Sequence, residues 1–191
     1  MHEKGSYIFL QLWALGRVAN SKALKGLGDH EVVSSSPTPE NETSPVPHEP
    51  SVEDIKGFVG DYAQAAKNSI EAGYYGVEIY GANGYLVDQF AQDTCNKCTD
   101  GYGGSIENRS RFGIEVAKAV ADAVGADRTG IRLPPFSSFQ GMKMKDPIPQ
   151  FSHLLKGLKP LNFAYIHVVE SRISGNADIE STEKIDFALD I

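Results

Sequence analysis

Apolar runs and amphipathic stretches alternate along this chain. Residues 7–12 are apolar except for Gln11, the pattern of a strand buried in a parallel sheet. Residues 21–50 are rich in proline and serine with little periodicity, which predicts an irregular excursion. Ser51 followed by Asp54 reads as a helix N-cap with an acidic residue three positions on. Ile55, Phe58, Val59, Tyr62, Ala66 and Ile70 then share one apolar face to about residue 72. Gly73 stops that helix, and residues 75–79 read as a second strand. A glycine-rich loop is expected up to Gly104. Ser105 caps a helix with Phe112, Val116, Ala119, Val120 and Ala123 inward, ending near Gly125. A short strand at 130–133 is closed by Pro134 and Pro135, a helix is expected at 150–158 and a strand at 163–169. The tail from Ser171 is polar and is expected to end before another full helix–strand unit. Strands alternating with helices imply an α/β fold with a parallel sheet and right-handed crossovers. At this level an open doubly wound sheet and part of a (β/α)8 barrel both fit.

The chain has 191 residues, 41% of them hydrophobic, enough for one globular core. A net charge of −7 and the lack of a Lys/Arg-rich run argue against a nucleic-acid partner. No apolar stretch reaches the roughly 18–20 residues that span a bilayer, and the first residues do not have the form of a signal peptide. A soluble, cytoplasmic protein is expected. Two cysteines cannot build a disulfide framework.

Chemistry concentrates where the second strand ends. Tyr80, Asn83 and Tyr85 stand in Gly76-Val-Glu-Ile-Tyr80-Gly-Ala-Asn83-Gly-Tyr85, and parallel α/β folds draw catalytic groups from the C-terminal ends of strands. An asparagine amide can donate to a carbonyl oxygen, and a neutral tyrosine can give a proton. The same tyrosines could simply cover the end of the sheet. Gln11 is either a core glutamine bonded to backbone or a ligand-binding amide. Arg132 is either paired with a carboxylate in the interior or a cation facing a ligand. Cys95 and Cys98 have metal or redox spacing, but one pair gives too few ligands for structural zinc, and two incidental loop thiols explain them. Gly101-Tyr-Gly-Gly104 lacks the spacing of a dinucleotide fingerprint. His167 reads as a satisfied core or supporting histidine, and the acidic tail as a solvated face.

The segment 76–90, with Gly103-Gly-Ser-Ile-Glu-Asn-Arg-Ser-Arg-Phe112 after it, resembles the Old Yellow Enzyme family of flavin-dependent ene reductases. Ile8-Phe-Leu-Gln11-Leu-Trp13-Ala-Leu-Gly16-Arg17 resembles the family's third-strand motif, and Gly130-Ile-Arg132-Leu its fifth. The resemblance implies FMN as cofactor, NADPH as reductant and an α,β-unsaturated carbonyl as substrate. It makes Gln11 and Arg132 flavin ligands, Trp13 a pocket wall, Asn83 a carbonyl binder and Tyr85 the proton donor. Tyr80 stands where the family has His, Pro134 where it usually has Ser, Gly101 in place of a Glu, and Cys95 and Cys98 where Ser and Arg are usual.

The resemblance also implies an incomplete (β/α)8 TIM barrel, one partial domain over 1–191 holding roughly strands three to six. The strands that supply the family's FMN phosphate site are not represented. Tyr165-Ile-His-Val-Val-Glu-Ser-Arg172 and the Ser-Gly-Asn-Ala-Asp after it look like the fungal secondary-metabolism branch that acts on the ergot-alkaloid intermediate chanoclavine-I aldehyde. The leading expectation is a truncated, inactive relative. An ene reductase that is active when complete and a non-catalytic half-barrel binding protein are the alternatives. The inner sheet face is expected to be apolar and exposed, favouring homo-oligomers.

Overall fold

A computed structural model describes residues 2–174, 177, 178 and 180–191 of the chain. The element order begins with β1 (Phe9–Leu12), α1 (Ser21–Gly26), α2 (Val52–Glu71) and β2 (Gly76–Tyr80). It continues with α3 (Leu86–Ala91), α4 (Ile106–Val124), β3 (Thr129–Leu133), α5 (Pro147–Leu158) and β4 (Tyr165–Val168). A two-stranded ladder of β5 (Ile173–Ser174) and β6 (Ala177–Asp178) precedes α6 (Asp186–Leu189). Gly175 and Asn176 of the tail motif lie outside the described residues.

The main sheet is parallel with strand order β1-β2-β3-β4. Each strand lies beside its sequence neighbour, with no reversal of order, so the sheet is an arc of a (β/α)8 barrel rather than a doubly wound sheet. The register aligns side chains in layers. Gln11, Glu78, Gly130 and Tyr165 form one row across the sheet, and Tyr80, Arg132 and His167 the next. Because side chains alternate along a strand, Leu12, Val77, Ile79, Ile131 and Leu133 point the other way. There they form one buried core with Ile55, Tyr62, Phe112, Val116, Phe151 and Leu154 of α2, α4 and α5.

Helix ends follow local chemistry. Ser51 and Asp54 form a reciprocal capping box, with the Asp54 carboxylate accepting from the Ser51 amide at 2.9 Å. Gly73, at φ 93°, follows the end of α2. α5 starts at Pro147, earlier than residue 150, because proline is tolerated in a helix's first turn, where its missing N–H has no partner to lose.

Four expectations are corrected. The excursion 21–50 is not wholly irregular: Asn20 caps α1 by accepting from the Lys22 and Ala23 amides, and Val33 bridges His48. The loop to Gly104 contains α3, whose side chains are all buried, so no amphipathic period marks it. The tail, although it forms no full helix–strand unit, is not a solvated face throughout: it adds the four-residue α6, and Phe187, Ala188 and Ile191 pack against the core. The inner sheet face is not apolar, since Gln11, Glu78, Arg132 and His167 lie on it together with aromatic rings. Two of those rings fill the space above glycines. A Cβ on Gly76 would lie 2.4 Å from the Phe9 ring, and one on Gly130 2.5 Å from the Tyr165 ring.

Candidate active site

The chain leaves β2 through a turn that only certain residues can make. Asn83 and Gly84 both have left-handed backbone, at φ 55° and 74°, a conformation glycine adopts freely and asparagine tolerates. This pair folds the chain back, so that the Asn83 amide Nδ2 donates to the Tyr80 hydroxyl at 3.0 Å. Arg132, one strand over, donates from Nη1 to the same hydroxyl at 3.3 Å and lies 5.3 Å from the centre of the Tyr80 ring. Trp13, at the end of β1, closes the cluster, with its ring centroid 4.6 Å from Tyr85 and 6.1 Å from Tyr80. Tyr80 and Tyr85 are 5.4 Å apart by centroid. Trp13, Tyr80, Asn83, Tyr85 and Arg132 thus meet at the C-terminal end of the sheet.

Gln11 sits one row deeper. Its amide Nε2 donates to Glu78 Oε1 at 2.6 Å, so its partner is a side chain and not backbone. Arg132 has no carboxylate partner among the described residues. His167 is no core residue: its side chain is 45% exposed and its Nδ1 faces Glu78 Oε2 at 3.3 Å. Cys95 and Cys98 are both free and buried. Hydroxyls of Ser34, Ser35 and Ser36 surround their sulfurs at 3.4–3.6 Å. Among the described residues no group of three metal-ligating side chains forms.

Electrostatics favour the neutral form of Tyr85. Partial burial and the neighbouring Tyr80 raise the Tyr85 phenol above its usual range, outweighing a Gln140 contact that lowers it. Tyr85 therefore keeps its proton at neutral pH. Tyr80 accepts two donors through its oxygen and retains its own hydrogen for a third group.

Residues to which the sequence motifs assigned no role support the turn. Asp88, fully buried, accepts from the Gly84 amide at 2.8 Å and from Gln92 Nε2 at 2.8 Å. Desolvation pushes its carboxyl up to about 7 against the opposing effect of those bonds and of Arg17. Gln89 donates to the Gly84 and Leu15 carbonyls and accepts from the Arg17 amide and the Ser34 hydroxyl. Arg17, 4% exposed, reaches the Gln140 carbonyl at 2.8 Å. With its amide nitrogen toward the turn, Gln140 donates to the Gly84 and Asn83 carbonyls at 3.0 and 3.2 Å. The available signal was Asp88 and Gln89 set among Leu86, Val87 and Phe90: polar residues flanked by apolar ones need internal partners.

The sequence profile of the NADH:flavin oxidoreductase / NADH oxidase family matches residues 1–189. The chain belongs to this family, that of the Old Yellow Enzymes. It is 54% identical over 189 residues to chanoclavine-I aldehyde reductase fgaOx3 of Penicillium roqueforti, covering 99% of this chain and 51% of that protein. Over 174 residues it is 51% identical to a Claviceps purpurea protein named "Probable inactive dehydrogenase easA", covering 90% and 46%. The structure superposes on Old Yellow Enzyme from Pichia sp. with a TM-score of 0.89 at 39% identity, over all of this chain and 51% of that one. The chain thus spans about half the length of the relatives it matches. The fungal branch near chanoclavine-I aldehyde reductase and the partial-barrel architecture agree with the sequence motifs. No helix among the described residues is long and apolar enough to cross a membrane.

Proposed function

We propose that this chain is the carbonyl-binding portion of a fungal FMN-dependent ene reductase, with catalysis compromised when it acts alone. The carrying observation is the cluster in which Asn83 and Arg132 converge on Tyr80 beside Tyr85. Its substrate is a small α,β-unsaturated carbonyl compound, in keeping with the aldehyde named for the Penicillium roqueforti relative. A cytoplasmic location fits this reading.

The donor set suits a flavin. Gln11 and Arg132 stand on the inner face of β1 and β3. A guanidinium has five N–H donors, so its Tyr80 contact leaves Arg132 able to meet the anionic edge of a reduced pyrimidine ring. When bound and reduced by NADPH, FMN supplies a hydride to the substrate's β-carbon. The chain's own residues do the rest. Asn83 has a second amide hydrogen and Tyr80 its hydroxyl hydrogen for the carbonyl oxygen, stabilising enolate-like charge. Tyr85, held neutral, gives its proton to the α-carbon. Trp13 walls the site.

Two features support compromised activity. Tyr80 replaces the family's histidine, so the second donor projects from a longer ring. Among the described residues, the flavin donors Gln11 and Arg132 both address the ring. Purified protein should bind FMN weakly in fluorescence quenching and oxidise NADPH slowly with an α,β-unsaturated aldehyde. Tyr85→Phe should lower any residual turnover by about 10²-fold or more. Stoichiometric submicromolar FMN binding would overturn the compromised reading.

A second reading, a non-catalytic half-barrel that pairs with itself, is favoured by Trp13 and Tyr7, 54% and 67% exposed. Light scattering after size exclusion separates the two, since a monomer excludes the pairing.

A further inference from the structure

Glu78 is a carboxylate in an unusual place. It lies mid-strand on the inner face of the sheet, 5% exposed, where an isolated charge is costly. The register puts Gln11 on one side of it, and Gly130 and then Tyr165 on the other. Gln11 Nε2 donates to Oε1 at 2.6 Å and His167 Nδ1 approaches Oε2 at 3.3 Å. Burial and the Glu78 carboxylate both raise the Tyr165 phenol, so Tyr165 remains a protonated neighbour on the same row.

The Gln11 contact settles an orientation that an amide otherwise leaves open. Turning the Gln11 amide over would place two acceptor oxygens against each other at that separation. Nitrogen therefore faces Glu78, and Oε1 points away from it, on a side chain that is itself exposed. We propose that Glu78 is the positioning residue for Gln11, fixing its amide so that the acceptor Oε1 is presented to the ligand. A ligand edge read this way must offer an N–H donor. Among flavin edges that is the imide N–H of the pyrimidine ring. Only this choice of ligand rests on the flavin reading; the amide orientation does not.

Isotope-labelled protein tests the orientation without any ligand. The Gln11 side-chain amide pair is assigned by its loss in Gln11→Leu. One of its protons should lie downfield of a free amide, return to the free position in Glu78→Leu, and lie between the two in Glu78→Gln, which keeps a neutral acceptor. If Glu78→Leu fails to melt cooperatively, Glu78→Gln decides the point. A Gln11 pair at the free position in the parent, or unmoved by either substitution, overturns the proposal.

Fluorescence titration then compares FMN with its N3-methyl analogue. The parent should prefer FMN by about five- to tenfold, the scale of one hydrogen bond. Gln11→Leu and Glu78→Leu should bind the two alike. Equal binding by the parent overturns the assignment of Oε1 to the imide. Binding of neither flavin, with the amide shift intact, refutes the flavin reading and sustains the positioning role of Glu78.

Discussion

Leu12, Val77, Ile79 and Ile131, on the helix-facing side of the sheet, are at most 7% exposed, whereas the Trp13 residue and the His167 side chain on the other side are 54% and 45% exposed. The first side is held by close packing against α2, α4 and α5. The second holds its polar groups by pairing them with one another: Gln11 and His167 with Glu78, Asn83 and Arg132 with Tyr80. One face thus supplies stability while the other carries the candidate site, so most site substitutions should leave the fold intact.

The largest test of that division is Phe112→Ala. Phe112 is fully buried among the helices, and its truncation should remove about 3–5 kcal/mol of unfolding free energy, read from urea denaturation. A smaller loss would mean that the helix side does not dominate stability.

Glycines of the inner face come next. A Cβ on Gly76 would lie 2.5 Å from the Arg128 carbonyl oxygen as well as against the Phe9 ring. Gly76→Ala should cost about 1–3 kcal/mol, and adding Phe9→Leu should not restore it, because the carbonyl is backbone. At Gly130 the near atoms all belong to the Tyr165 ring. Gly130→Ala should cost less and be relieved by Tyr165→Leu. Denaturation midpoints of the four variants give both answers.

Asp88 ties the site to stability through pH. Its folded-state pKa is raised to about 7, whereas an unfolded Asp titrates near ~3.9. Between those values the folded chain holds a proton that the unfolded chain has released. The contribution of Asp88 is therefore fully present below about 4, falls by up to about 1.4 kcal/mol per pH unit, and is gone above about 7. Urea midpoints from pH 4 to 8 should lose that slope in Asp88→Asn. A slope that persists would assign the effect to other groups.

The smallest effect should be Trp13→Ala, which should change stability by no more than about 0.5 kcal/mol. Its ring nonetheless packs against Tyr85 and Tyr80, so affinity for an unsaturated aldehyde should fall, measured by quenching of tyrosine emission. A large loss of stability here would break the contrast between the faces.

The strands, α2 and α4 were legible because their signals are local. Ser51 and Asp54, and Ser105 before Phe112, mark helix starts in any context. The cluster at the sheet end was legible through the spacing of Tyr80, Asn83 and Tyr85. α3 was not, because a helix buried on every side loses its period. Glu78 was hidden for a related reason. Its partners Gln11, Tyr165 and His167 come from strands far apart in sequence, and only the register brings them to one row. Of the two readings of His167, the structure fits the supporting one, through Glu78, and not the core one; an apolar run does not show which strand face is left exposed.

The two thiols behind α3 give the molecule a chemical clock. Desolvation pushes Cys98 up to about 11, and Cys95 is fully covered beneath Ser34 and Ser35. With no exposed surface, Cys95 meets an alkylating reagent only when its cover opens. The rate at which that thiol disappears therefore counts openings of the cover that Ser34 and Ser35 help to form.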